Sequence, residues 1–203
     1  RSQRHFVGHD GVVRLVALDP RGGALLASVS SPSATTATTT TTRANASPRI
    51  RLWSYYAGRC LADLAAPERG CFALSFSHDG SELAVAGADR RGNPCILVWD
   101  VSNALEQARA DSASKPEPPF APLRPPLLAC PIVAHQSSDF SLVRVSFSPF
   151  ERHKLVACGR ENVRFLRVAR GHLPSTSVVL NEHARGNVFL DVAFYEHATP
   201  TPT

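Results

Sequence analysis

The sequence predicts an all-β fold. Short antiparallel strands gather four at a time into sheets that stack around an axis as a β-propeller, about three and a half blades cut from a larger ring. Three observations predict it. Apolar runs of six or seven residues alternate with turn residues along most of the chain. The run–turn–run pattern recurs three times. Aromatic residues return at a spacing of 46 residues from Trp53 to Trp99 and 47 from Phe147 to Phe194. A period of roughly 40–45 residues with four strands per unit marks a propeller blade. One four-stranded sheet cannot bury both faces alone, so blades have to stack and share a core.

The elements follow in order. Val12 to Leu18 is β-branched and apolar, and Asp19-Pro20-Arg21-Gly22-Gly23 supplies the fixed and free φ values of a turn. Ala24 to Ser30 is a second strand, Arg49 to Trp53 an alternating third, and Arg59 to Leu64 a fourth after the Ala57-Gly58 turn. The pattern restarts at Cys71 to Phe76, turns at Ser77-His78-Asp79-Gly80, and continues through Glu82 to Gly87 and Cys95 to Asp100. Leu127 to Val133 would close that blade. A third copy runs through Phe140 to Phe147, Lys154 to Gly159, Val163 to Val168 and Ser177 to Asn181, and Val188 to Phe194 would open another. The division is thus 1–66 for the first blade, 67–135 for the second, 136–183 for the third, and 184–203 for a first strand and tail.

Two insertions interrupt the repeat. Residues 31–48 are rich in Thr, and residues 103–126 contain six prolines. Neither shows an apolar period, so both are expected to be exposed loops. A long flexible loop is cheap to carry, since doubling its length costs only about 0.6 kcal/mol of closure entropy.

Composition narrows the function. The chain has 203 residues, 43% hydrophobic and 19% charged, with a formal charge of +5. That rules out wholesale disorder. No run of 18 apolar residues occurs, so no membrane-spanning helix and no membrane partner are expected. The absence of any Met, even at position 1, suggests a piece of a longer chain. Five cysteines, none in a Cys-x-x-Cys pair, read as free thiols in a reducing compartment. No phosphate loop, nucleophile elbow or metal-spaced cluster is visible, so no catalytic residue, cofactor or metal is assigned and the chain reads as non-catalytic.

Several motifs resemble WD repeats. Gly8-His9 precedes the first strand, where that family places its Gly-His pair, and Trp53-Ser54 and Trp99-Asp100 occupy the Trp-Asp position. The turn Phe76-Ser77-His78-Asp79-Gly80 is similar to the family's phenylalanine-serine-x-aspartate-glycine turn. His135 and His183 stand where the family has Gly-His, each without its Gly, and Phe165 stands for a Trp. The resemblance implies a buried network of such a His, a Ser or Thr of the second strand, a turn Asp and the Trp. The first blade would contribute His9, Ser28 or Ser30, and Trp53, and the second Asp89 and Trp99.

A narrower resemblance links residues 144–168 and 178–194, with the Asp89-to-Pro94 loop, to the large centriolar and ciliary WD-repeat proteins. Looser kinship joins the echinoderm microtubule-associated-protein-like propellers. It implies a scaffold on centriolar, basal-body or axonemal microtubules within a large assembly, with tubulin and neighbouring axonemal or centriolar proteins as partners. An alternative implied by fold is a substrate-receptor or assembly-scaffold propeller in the cytoplasm, but no Trp-Asp-x-Arg is present.

Charge supplies candidate contacts for acidic tubulin. Arg90 and Arg91 lie on a loop, and Arg160, Arg164, Arg167 and Arg170 fall within eleven positions. Strand alternation is expected to turn Val163, Phe165 and Val168 inward and Arg164 and Arg167 outward, with Arg49, Arg51 and Arg59 as a similar set in the first blade. Such charge steers association. Nucleic acid is disfavoured because aromatics are only 7% of residues and form no stacking run.

Overall fold

The computed structural model describes residues 6–9, 11–31, 48–113 and 127–195. Among the described residues, twelve strands form three four-stranded antiparallel sheets. The first sheet holds β1 (Val12–Leu18), β2 (Leu25–Ser31), β3 (Arg49–Ser54) and β4 (Cys60–Ala65). The second holds β5 (Cys71–Phe76), β6 (Glu82–Ala88), β7 (Pro94–Asp100) and β8 (Ile132–Ser137). The third holds β9 (Leu142–Phe147), β10 (Lys154–Gly159), β11 (Asn162–Arg167) and the short β12 (Ser175–Ser177). Each sheet is a simple meander in which neighbours in sequence pair. The first strands β1, β5 and β9 adjoin one another, so they form the inner wall and β4, β8 and β12 the rim.

The core lies between sheets. One cluster joins Leu25, Ile50 and Leu52 of blade one to Leu74, Phe76, Leu83 and Trp99 of blade two. A second joins Ile96 and Val98 of blade two to Val145, Phe147, Leu155 and Leu166 of blade three. Period-two alternation makes this possible, because β7 sends Leu97 and Trp99 one way and Ile96 and Val98 the other.

Four sequence expectations change, the first being that the third blade closes with Ser175–Ser177 rather than Ser177 to Asn181, where the chain enters a 3-10 turn at Asn181. Residues 102–110 form helix α1 (Ser102–Ala110), with Ala104, Leu105 and Ala108 buried on one face. The prolines all lie further on, and the run from Ala104 to Ala110 consists of good helix formers. The fourth strand of blade two begins at Ile132 rather than Leu127, because residues 127–130 pack back on blade one, where Leu128 N donates to Leu61 O. Residues 188–194 form no strand; only an isolated bridge joins Val188 to Arg160. The Thr-rich insertion and the Pro-rich part of the second lie outside the described residues.

Candidate functional site

The first blade brings together His9, Ser28 and Trp53, three members of the network that its motifs imply. β2 presents Ser28 to the face turned away from blade two, and β3 places Trp53 on that same face. Trp53 Nε1 donates to Ser28 Oγ at 2.8 Å, and His9 Nε2 lies 2.6 Å from the same oxygen. The His9 and Phe6 rings meet Trp53 edge-on at 6.0 and 5.8 Å. Ser28, not Ser30, is the member. Gly8 approaches closely: a Cβ there would come within 2.6 Å of Arg51 Nη1 and 3.0 Å of Trp53, so a larger residue would press on the guanidinium and the indole.

Blade two behaves differently. Trp99 is buried in the core against blade one. Asp89 does not reach it. Instead Asp89 folds its own loop, accepting from Arg91 N and Asn93 N at 2.8 Å and from Asn93 Nδ2 at 3.2 Å. The bond from the Asn93 amide leads the causes that hold its carboxyl below the ordinary value. Asp100 accepts from Ser102 N and Oγ at 2.9 and 2.6 Å and so starts α1.

Asp79 and Gly80 belong to a junction between blades. Asp79 accepts from Ser77 Oγ, Ser81 N and Ser81 Oγ at 2.8, 3.1 and 2.7 Å, and Arg152 of blade three stands 3.6 Å away. Burial works against its charge, but the Ser81 and Ser77 bonds prevail and bring its pKa to about 2. Gly80 turns at φ +78°, and a Cβ there would also press on Leu105 and Asp19 at 3.2 and 3.3 Å. Beside them His153 Nδ1 lies 2.9 Å from Glu82 Oε1, while burial raises the Glu82 pKa.

The register corrects three placements. Trp53 pairs with Leu26, Trp99 with Leu83, and Leu166 with Leu155. Leu166 therefore holds the Trp position in blade three, and Phe165 points to the opposite, exposed face. The one-residue difference inverts the expected parity, so Arg164 turns inward with Leu166. His135 lies within β8, exposed, with its amide bonded to Gly171 O at 3.3 Å. Counting back four residues from Leu142, as from Val13 to His9, leads to Ser138 instead. His183 sits in a single 3-10 turn at Asn181–Ala184, and its side chain lies outside the described ones.

The arginines do not form one patch. Antiparallel meanders put the turns after second strands at one end of the blades and those after first and third strands at the other. Arg90 and Arg91 (β6–β7 turn) and Arg160 (β10–β11 turn) share the first end, where Arg69 Nε donates to Arg90 O at 3.1 Å. Arg167 and Arg170 lie at the second, about 20 Å from Arg160 at roughly 3.3 Å per residue. Arg164 Nη2 donates to Asp139 Oδ2 at 2.8 Å, and its guanidinium lies 5.1 Å over the Phe140 ring. In blade one Arg51 is buried with Asp63 4.0 Å from Nε, and Arg49 Nε bonds the same carboxylate at 2.9 Å.

One arrangement had no sequence signal. Asp111, just past α1, accepts from Arg59 at 2.9 and 3.2 Å and from Gln107 at 3.1 Å. The insertion of blade two is thereby tied to the β3–β4 turn of blade one. Cys95 and Cys158 are buried and Cys60, Cys71 and Cys130 half-buried, all as free thiols. Burial pushes Cys71 to about 12 and Cys60, Cys95 and Cys130 to about 11, which favours the protonated thiol. Among the described residues no group of three His, Cys, Asp or Glu side chains converges.

No protein-family model matches the chain. Among curated proteins it is similar to WD repeat-containing protein 90 of Homo sapiens, 30% identical over 193 residues, covering 95% of this chain and 9% of that protein. The Xenopus tropicalis protein of the same name is 29% identical, with 95% and 8% covered. Centriole proteome protein 16 of Chlamydomonas reinhardtii is 26% identical over 178 residues, with 88% and 7% covered. The chain thus spans less than a tenth of each of these relatives. In three dimensions it resembles the β-propeller domain of Myceliophteria thermophila Cps50 (Swd1). The TM-score is 0.54 at 13% identity, covering 87% of this chain and 42% of that one, which speaks to fold alone. A chain that stacks such blades and ties Trp53 to Ser28 has a β-propeller fold, and along nearly its whole length it is similar to WD repeat-containing proteins.

Proposed function

We propose that the chain is a non-catalytic interaction scaffold, part of a larger WD-repeat protein that works at centriolar or ciliary microtubules. The observation that carries this reading is the similarity to centriole proteome protein 16 along 88% of the chain. The chemistry of the described surface is compatible with it. Several of its acids and His153 serve turns and blade junctions: Asp89 closes a loop, Asp79 and Glu82 meet blade three, and Asp111 fastens α1. The exposed contacts for an acidic tubulin surface are Arg90, Arg91 and Arg160 at one end and Arg167 and Arg170 at the other. Arg164 leaves this set because Asp139 and Phe140 occupy it.

The test is co-sedimentation of the full-length protein with stabilised microtubules at two salt concentrations. Binding that weakens with salt supports a charge-based contact. An exposed ion pair contributes up to about 1 kcal/mol. Replacing Arg90, Arg91 and Arg160 together with Ser therefore weakens binding by up to about a hundredfold if that end meets tubulin. Absence of pelleting at low salt removes direct tubulin binding and leaves a scaffold that acts through other proteins.

A further inference from the structure

Arg164 is only half paired. Its Nη2 donates to Asp139 Oδ2 at 2.8 Å, but its Nε is buried with no acceptor among the described residues. Nε and Nη2 form the edge of a guanidinium that grips a carboxylate with two parallel bonds. Arg59 shows the complete pairing in the same molecule, its Nε and Nη2 reaching the two oxygens of Asp111 at 3.2 and 2.9 Å. The two acids also differ in their surroundings. The Asp111 side chain is 6% exposed, whereas that of Asp139 is 70% exposed. Asp139 thus holds Arg164 from the solvent side through one bond, in a place that an outside carboxylate can contest.

Arg164 also lines a cleft between blades two and three, beside the rim strands β8 and β12. The cleft measures about 250 Å³ including its open mouth, below the roughly 300–1,000 Å³ of small-molecule sites. It has room for the end of a side chain, not for a whole nucleotide or sugar. Ile96, Ala157 and Leu166 form its apolar wall, and Gln136 and Ser175 its polar one. Neither Gln136 nor Ser175 makes a side-chain hydrogen bond among the described residues. The Phe140 ring lies 5.1 Å from the guanidinium carbon and steadies it. A cationic donor edge, two uncommitted polar side chains and an apolar wall select an anionic tip on a short apolar stem.

We propose that this cleft binds a glutamate side chain from an extended segment of a partner protein. The incoming carboxylate displaces Asp139 and takes Arg164 Nε and Nη2 together. Its methylene stem lies on Ile96, Ala157 and Leu166, and Gln136 and Ser175 donate to the remaining lone pairs. The site is separate from the exposed arginines at the blade ends, so it stands whether or not the protein meets microtubules.

The experiment uses the full-length protein and a short synthetic alanine peptide carrying one glutamate beside a photoleucine, with a glutamine version as control. After illumination, cross-links are located by mass spectrometry. Labelling of residues 136–140 and 164–175 is expected to be about tenfold or more stronger with the glutamate peptide, the range of a charge-assisted pair. Arg164→Gln is expected to remove that preference. Asp139→Asn is expected to strengthen labelling about threefold or more, because the competing carboxylate is gone and the open form is more populated. Glu151→Gln, which removes another exposed carboxylate, is expected to leave labelling unchanged. Equal labelling by the two peptides overturns the proposal, as does a glutamate preference that survives Arg164→Gln. If Arg164→Gln fails to fold, Asp139→Asn decides the question. No gain in labelling then shows that Asp139 is the permanent partner of Arg164 and overturns the proposal.

Discussion

Ser28 serves two partners at once, and its hydroxyl is the point on which the first blade's Trp53 depends. Ser28→Ala leaves a buried indole N–H without this acceptor and is expected to cost about 1–3 kcal/mol in urea unfolding. Two carboxylates at the junction of blades two and three titrate with opposite consequences. Asp79 has its pKa lowered from 3.8 to about 2, so it contributes stability that is present above 3.8 and lost as pH falls toward 2. Asp79→Asn is therefore expected to lower Tm at pH 7, and the gap to the wild type should close by about pH 2. Glu82 has its pKa raised above 4.5, so its contribution is present below 4.5 and fades as it ionises. Glu82→Gln, which keeps an oxygen for His153, is expected to raise Tm at pH 7 and to match the wild type below pH 4.5. A Tm scan of the two variants against pH checks both signs.

Helix α1 illustrates how an insertion becomes structural. Its short apolar face (Ala104, Leu105, Ala108) enters the core shared by blades one and two, and Asp111 then binds Arg59 across the junction. Leu105→Ala is expected to destabilise by about 2–5 kcal/mol, in the range of other large-to-small core changes. Asp111→Asn keeps the shape but removes the charge from a paired, buried position; it is expected to lower Tm without altering helix content in far-UV circular dichroism. A Leu105→Ala variant as stable as the wild type would show that α1 merely lies on the surface. Strand parity decides the other case at this scale. The alternation in β11 is legible in the sequence, but its phase is not, because Val163, Phe165 and Leu166 are all apolar. Only pairing with β10 shows which face Leu166 takes.

At the scale of the whole molecule, blades one and three each leave an apolar side chain uncovered among the described residues. Leu18 pairs with Leu26 as Phe76 does with Leu83 and Phe147 with Leu155, yet Leu18 is exposed while the two phenylalanines are buried by a preceding blade. Phe165 marks the corresponding gap on blade three. Residues 1–203 expressed alone are therefore expected to aggregate or to unfold with poor cooperativity, read by size-exclusion chromatography and calorimetry. A monomer with one sharp transition would show that three blades suffice.

The residue pattern by itself determined the blade repeat, the strands and most of their limits, because period-two alternation and turn chemistry are local properties. His9, Trp53 and Asp79 were legible for the same reason, as fixed offsets from strands. Only the tertiary structure decided what each side chain meets. It placed Arg164 and Arg51 inward, set Arg90, Arg91 and Arg160 at the opposite end from Arg167 and Arg170, kept Asp89 in its own loop, and brought Asp111 to Arg59 across 52 positions of sequence. Those outcomes depend on which blade packs on which face, and in a stack of repeats that is set by neighbours distant in sequence.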